Sequence, residues 1–270
     1  MHAFRLPAYA CWIRYLDLPG GPDKPTPEPV CVYLAGLGSA STVDFPEIVA
    51  RPPLRGRRSL LVDLAGTGWS DPAPASFGYT IEEHADVVAA MLDAAHLRGC
   101  HIIGHSLGGS VAIALADRRP DLVARLVVAE PNLDPGVGTL SRHVADQSED
   151  AFVTRGYSAL RAVLAREEDA AVTSVFHATT GRWSPAAMYR TAVSLLAERT
   201  PTFRDMLASA SMPRAILVGE RSEDVDLEGL ADSGVAVHVV QGSGHVMTYD
   251  NPEVFARTIA AALDGPTDRP

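Results

Sequence analysis

The sequence predicts an α/β fold built on a mostly parallel sheet, and three observations predict it. Short continuous apolar runs, the mark of strands covered on both faces, recur at residues 30–35, 60–63, 100–103, 125–129, 215–219 and 235–240. Helical patterns alternate with them: Ile81, Ala85, Val88, Leu92 and Ala95 repeat at steps of four and three. Between residues 132 and 212 the strand-like runs vanish and only helical patterns remain. With 270 residues and 47% hydrophobic content, the chain is long enough to bury a full core as one α/β domain.

Each element has its own local reason. Residues 9–16 alternate loosely, and five prolines fall between Pro19 and Pro29, which predicts an N-terminal antiparallel strand pair joined by a long turn. The buried run at 30–35 leads into Ala35-Gly36-Leu37-Gly38-Ser39. The run at 60–63 leads into Asp63-Leu64-Ala65-Gly66-Thr67-Gly68-Trp69-Ser70-Asp71-Pro72. That loop mimics a dinucleotide fingerprint, but Asp71 stands where a third glycine is needed and no helix opens there. A wall-forming loop is the better account, with Trp69 a candidate substrate-contacting residue. Thr80-Ile81-Glu82-Glu83 is a capping box that starts the next helix.

Beyond it, the run 100–103 is broken by Gly104-His105-Ser106-Leu107-Gly108, after which Val111, Ala112, Leu115 and Ala116 recur at helical spacing. The run at 125–129 ends on Glu130. Helical segments are expected near residues 141–152, 157–168, 185–199 and 201–210, the last two opened by Ser184-Pro185 and Thr200-Pro201. A short helical link is expected between the strands at 215–219 and 235–240. Asn251-Pro252 starts a final helix whose Val254, Phe255, Thr258, Ile259 and Leu263 form one apolar face.

Strand, sharp turn and helix at residues 100–116 point to a nucleophile. A turn this tight forces its central residue, Ser106, into strained backbone geometry, and flanking glycines remove the Cβ atoms that would clash. The first helical amide, that of Leu107, points where a negative oxygen would be stabilised. In this context Gly-His-Ser-Leu-Gly resembles the nucleophile elbow of the α/β-hydrolase family. The resemblance implies an eight-stranded sheet flanked by helices, with a core at residues 1–131 and 212–270 and an all-helical cap inserted at 132–211. It also implies that the Leu37 amide completes an oxyanion hole. The family usually carries His-Gly-x-Gly there and this chain has Ala35, but a backbone donor tolerates that change.

A serine hydroxyl needs a base and an acid that orients the base. Of nine histidines, His245 alone follows a late buried strand in a Gly-Ser-Gly-His loop, where the family places its base. His105 reads as a turn residue beside Ser106. The family's usual acid position, counted from Gly219, is Ser222, which cannot serve as an anion. Glu223 and Asp224 stand close by and are the alternative acids. Glu130 is the favoured one, because some branches of the fold take their acid from that strand end and a carboxylate directly after four apolar residues needs a partner. His101 and His105 are spaced like a metal pair but span a strand and a turn and lack the accompanying glutamate, so no metal is assigned and no cofactor is required.

These residues predict a serine hydrolase acting on a carboxylic ester, lactone or thioester of a small, mainly apolar molecule through an acyl-enzyme on Ser106. A carbon–carbon bond hydrolase with the same triad, and a non-hydrolytic protein that binds or cyclises a small molecule, are the alternatives. The net charge of −10 argues against nucleic acid or anionic membrane as partner. Cys11, Cys31 and Cys100 form no C-x-x-C pair and read as buried thiols, and nothing resembles an export signal or a membrane span, so a cytoplasmic location is expected. Nothing in the sequence specifies an oligomeric state.

Overall fold

The computed structural model describes residues 1–21, 28–166, 170–223 and 225–265, with the backbone alone for residues 170–173. Eight strands form one sheet: β1 (His2–Leu6), β2 (Cys11–Leu18), β3 (Cys31–Leu34), β4 (Ser59–Val62), β5 (Cys100–His105), β6 (Val123–Ala129), β7 (Arg214–Gly219) and β8 (Ala236–Val240). Their spatial order is β1-β2-β4-β3-β5-β6-β7-β8. β2 runs antiparallel to β1 and to β4, and every other pair is parallel.

The parallel strands read as unbroken apolar runs because both faces of the sheet are covered. Val32, Leu34 and Ile102 pack into one cluster with helices α1 (Ile81–Ala94) and α2 (Leu107–Arg118). Tyr33, Leu61, Ile103, Val127 and Leu217 face the other side. There they meet Ile48 from the short helix Pro46–Ala50, and Phe255 and Ile259 from the last long helix (Pro252–Asp264). The capping box at Thr80 forms on both sides, with the Thr80 side chain accepting from the Glu83 amide and the Glu83 side chain from the Thr80 amide. Asn251 caps the last helix as expected.

Between β6 and β7 the chain is helical: α3 (Thr139–Ala145), a turn at Glu149–Ala151 running through a π-helical turn (Phe152–Gly156) into α4 (Tyr157–Leu164), then α5 (Ala170–Thr180), α6 (Pro185–Leu196) and α7 (Phe203–Ser209). The Pro252–Asp264 helix is α8.

Five local expectations differ from the structure. The N-terminal pair is β1 with β2 across residues 7–10, not a hairpin turning at 19–29; residues 22–27 lie outside the described residues. β1 left little signal because, at the sheet edge, it buries only Leu6. The expected helix at 157–168 ends at Leu164, and residues 167 and 168 lie outside the described residues. α5 was not expected: its run mixes Val and Thr, whose branched side chains disfavour helix, so packing decides its conformation. α7 begins at Phe203, because Thr202 and Asp205 form a capping box that overrides the Thr200-Pro201 start. Among the described residues the β7–β8 link carries turns and no helix.

Candidate active site

β5 delivers Ser106 to the carboxyl edge of the sheet and α2 leaves from it. Ser106 has φ 52° and ψ −121°, a region that L side chains avoid. Two glycines make the turn possible by close approach. A Cβ on Gly104 would stand 2.2 Å from the Gly108 carbonyl oxygen, and one on Gly108 would stand 2.2 Å from the Leu34 carbonyl oxygen. The start of α2 is thus pressed against both its own strand and β3. The Ser106 amide donates to the Ala129 carbonyl (2.8 Å), tying the turn to β6. Across from it, a Cβ built on Gly36 would lie 3.7 Å from Ser106 Oγ, so the loop after β3 borders the hydroxyl.

Glu130 sits one strand over. It also has positive φ (45°), its amide donates to the Leu217 carbonyl (3.0 Å), and the residue is 2% exposed. One carboxylate oxygen accepts from the Gly219 amide (2.8 Å); the other accepts from Ser222 Oγ (2.7 Å) and His245 Nδ1 (2.7 Å). Burial pushes the carboxyl pKa up, but His245, the Gly219 amide and Ser222 together outweigh it and hold the group below its ordinary value. An ionised carboxylate only accepts, so His245 Nδ1 carries the proton in this bond. Glu223 borders the same cavity at the surface but is not the residue bonded to the imidazole; Asp224 lies outside the described residues. Ser222, at the position where the resemblance leads one to expect an acid, hydrogen-bonds the Glu130 carboxylate instead.

His105 is more than a turn residue. It ends β5, is buried, and its Nε2 donates to the His245 carbonyl (2.8 Å). Burial, with a smaller effect from the His245 ring, depresses its pKa to about 4, so it is neutral at ordinary pH. The backbone that carries His245 is thereby pinned to the residue preceding Ser106.

A cavity of about 620 Å³ joins these groups, lined by Gly36, Leu37, Ser106, Glu130 and His245. Its remaining wall is largely apolar, with Leu140, Leu164, Phe176 and Leu195 from the helical insertion. Among the described residues, neither the Leu37 nor the Leu107 amide donates a hydrogen bond within the protein. Trp69 does not border the cavity. It is 49% exposed, with the Arg182 guanidinium 4.0 Å above its ring, because the Asp63 loop turns the side chain outward. That loop is held from within: the Asp63 carboxylate accepts from the Thr42 amide (3.0 Å), Thr42 Oγ1 (2.8 Å) and the Trp69 amide (3.0 Å). Tyr249, which borders the cavity, donates from Oη to buried Asp44 (2.7 Å). All three cysteines are buried and free. Among the described residues no group of three or more His, Cys, Asp or Glu side chains could hold a metal ion, and no helix is long and apolar enough to cross a membrane.

Residues 31–258 match the model of the alpha/beta hydrolase family. The chain belongs to that family. Among curated relatives of this alpha/beta hydrolase, 2-(acetamidomethylene)succinate hydrolase of Mesorhizobium japonicum is 27% identical over 259 residues, covering 87% of this chain and 88% of that protein. A RutD protein of Stutzerimonas stutzeri, named for carbamate hydrolysis, is 40% identical over 106 residues, but the match spans 39% of this chain and only 37% of that protein. Among solved structures, an esterase from Exiguobacterium antarcticum superposes with a TM-score of 0.78 at 21% identity, covering 97% of this chain and 99% of that one. The enol-lactonase from Burkholderia xenovorans LB400 also gives 0.78, at 20% identity, covering 98% and 100%. At those identities the structures establish the shared fold.

Proposed function

We propose that this alpha/beta hydrolase is a serine hydrolase that cleaves a carboxylic ester, lactone or thioester of a small, mainly apolar molecule. The observation that carries the reading is the 2.7 Å bond from His245 Nδ1 to the buried Glu130 carboxylate, in a cavity that also holds Ser106 on its strained turn. Glu130 fixes the imidazole tautomer so that Nε2 can take a proton, which is the state a general base needs.

In the mechanism we propose, His245 Nε2 removes the Ser106 proton as Oγ attacks the substrate carbonyl. The Leu37 and Leu107 amides, without partners among the described residues, donate to the oxyanion. The tetrahedral intermediate collapses, the imidazolium returns its proton to the leaving oxygen or sulfur, and an acyl-Ser106 ester remains. Water, deprotonated by His245, then attacks the acyl carbon; the acid leaves and Ser106 regains its proton. No metal or redox cofactor enters these steps. The helical insertion acts as a cap, and its apolar side chains over the cavity favour an uncharged acyl or alcohol group.

Acyl hydrolysis is preferred to carbon–carbon cleavage because solved structures that share the fold along the whole chain are named esterase and enol-lactonase. The reading is tested with an alkyl fluorophosphonate. The wild type should be labelled at Ser106 and should turn over p-nitrophenyl butyrate, and Ser106→Ala should lose both by many orders of magnitude. An active protein that the probe does not label would overturn it.

A further inference from the structure

The loop that carries the candidate donor Leu37 makes little of its own support. The Ser39 amide donates to the Gly36 carbonyl (3.1 Å), closing a tight turn with Leu37 and Gly38 at its centre. Gly38 has φ +82°, as the third residue of a type II turn requires. In such a turn the amide at the second position, here that of Leu37, is not used by the turn itself. Its direction depends on how the turn as a whole is held.

The two carbonyls that follow Leu37 are both held from the helical insertion, at the end of α5 and just beyond it. Thr180 Oγ1 donates to the Gly38 carbonyl (3.2 Å) and Trp183 Nε1 to the Ser39 carbonyl (2.8 Å). Both side chains are buried. The Phe176 ring lies so close over Gly38 that a Cβ there would meet it at 2.6 Å. The segment that supplies these donors is itself fixed at several points. Tyr157 Oη reaches the Thr180 carbonyl (2.7 Å) and the Trp183 carbonyl (3.0 Å), Arg182 Nε donates to the Gly68 carbonyl (3.2 Å), and the Ser184 amide donates to the Gly66 carbonyl (2.8 Å).

We propose that residues 176–183 of the insertion form a clamp that sets the direction of the Leu37 amide, with Thr180 and Trp183 as positioning residues for the oxyanion hole. The proposal rests on the serine-hydrolase reading for its catalytic meaning, but its structural content concerns the turn alone. A backbone donor cannot be tuned by its own side chain. Consecutive carbonyls gripped by two buried donors are a way to tune it from another element, and they make the completeness of the hole depend on the insertion being seated.

The test compares Thr180→Val, Trp183→Phe and the conservative Thr180→Ser. Thr180→Val and Trp183→Phe keep most of the buried volume and remove one donor each. Each should slow fluorophosphonate labelling of Ser106, and lower kcat for p-nitrophenyl butyrate, by about tenfold or more with little change in KM, since a small misplacement of a donor weakens only the transition state. Thr180→Ser should restore the wild-type rate to within about twofold, because it keeps the hydroxyl. The Leu37 amide resonance in ¹⁵N-leucine-labelled protein should shift or broaden in Thr180→Val and stay in place in Thr180→Ser. Folded variants with unchanged labelling rates and an unmoved Leu37 resonance would overturn the clamp, as would an effect on KM alone. Should the wild type itself escape labelling, the hydrolase reading falls, and the Leu37 resonance alone decides for or against the clamp.

Discussion

Ser106 and Glu130 follow the ends of adjacent strands, directly after the paired residues His105 and Ala129, and both lie in the left-handed backbone region. For residues other than glycine that conformation costs on the order of 1–3 kcal/mol each, and it persists where the surroundings over-determine it. Here the surroundings are sheet bonds on either side and, for Glu130, three donors on the carboxylate. Replacing Glu130 by Gln should keep the volume but disturb the imidazole tautomer, lowering kcat by about 10²–10⁴-fold; Glu223→Gln, measured beside it, should change kcat far less. Because folding depresses the Glu130 pKa, its contribution to stability is present above its ordinary value of 4.5 and is lost as pH falls through the lower folded value. The difference in urea midpoint between wild type and Glu130→Gln should therefore shrink as pH falls through and below that value. Glu130 was legible in the sequence because a charge directly after four apolar residues is costly without a partner. Ser222 was not: it read as a missing acid, and only the pairing of β6 with β7 brings its hydroxyl to Glu130.

Among the elements, the strand-turn-helix of the elbow was the easiest to read, since its glycines answer to backbone contacts that leave no alternative. Gly108→Ala would drive a Cβ to 2.2 Å from a carbonyl oxygen on β3, and α2 cannot retreat without losing the turn. The variant should lose about 3 kcal/mol or more, or fail to accumulate as soluble protein, as expression and thermal melting would report. α5 stayed illegible because its residues favour no conformation strongly until the insertion packs. The Asp44 to Tyr249 bond, joining the helical turn Ser41–Asp44 to the helical turn Met247–Asp250, had no signature at all. Burial raises the Asp44 pKa to about 6 from an ordinary 3.8. Over that interval the folded chain holds a proton that the unfolded chain has released, so stability falls as pH rises from about 4 to 6. Asp44→Asn should flatten this part of the melting-temperature profile.

For the molecule as a whole, the sheet and the place of the helical insertion could be read from periodicity, while the way the insertion meets the core could not. Trp183 and Met188 are buried in packing, and of the aromatic residues in the insertion Phe176 borders the cavity. Trp69 faces solvent under Arg182. Trp69→Ala should accordingly leave kcat/KM for a short p-nitrophenyl ester within about twofold, since surface changes of this kind rarely reach a buried site.

The position of Glu130 has a practical corollary. In the proposed mechanism the nucleophile and the acid leave neighbouring parallel strands locked in register, so a single strand pair fixes two of the three groups and the described residues 225–235 need not supply the charge. Provided Gly219 and Ser222 are kept, that stretch is the natural place to graft or diversify sequence when reshaping the rim of the pocket.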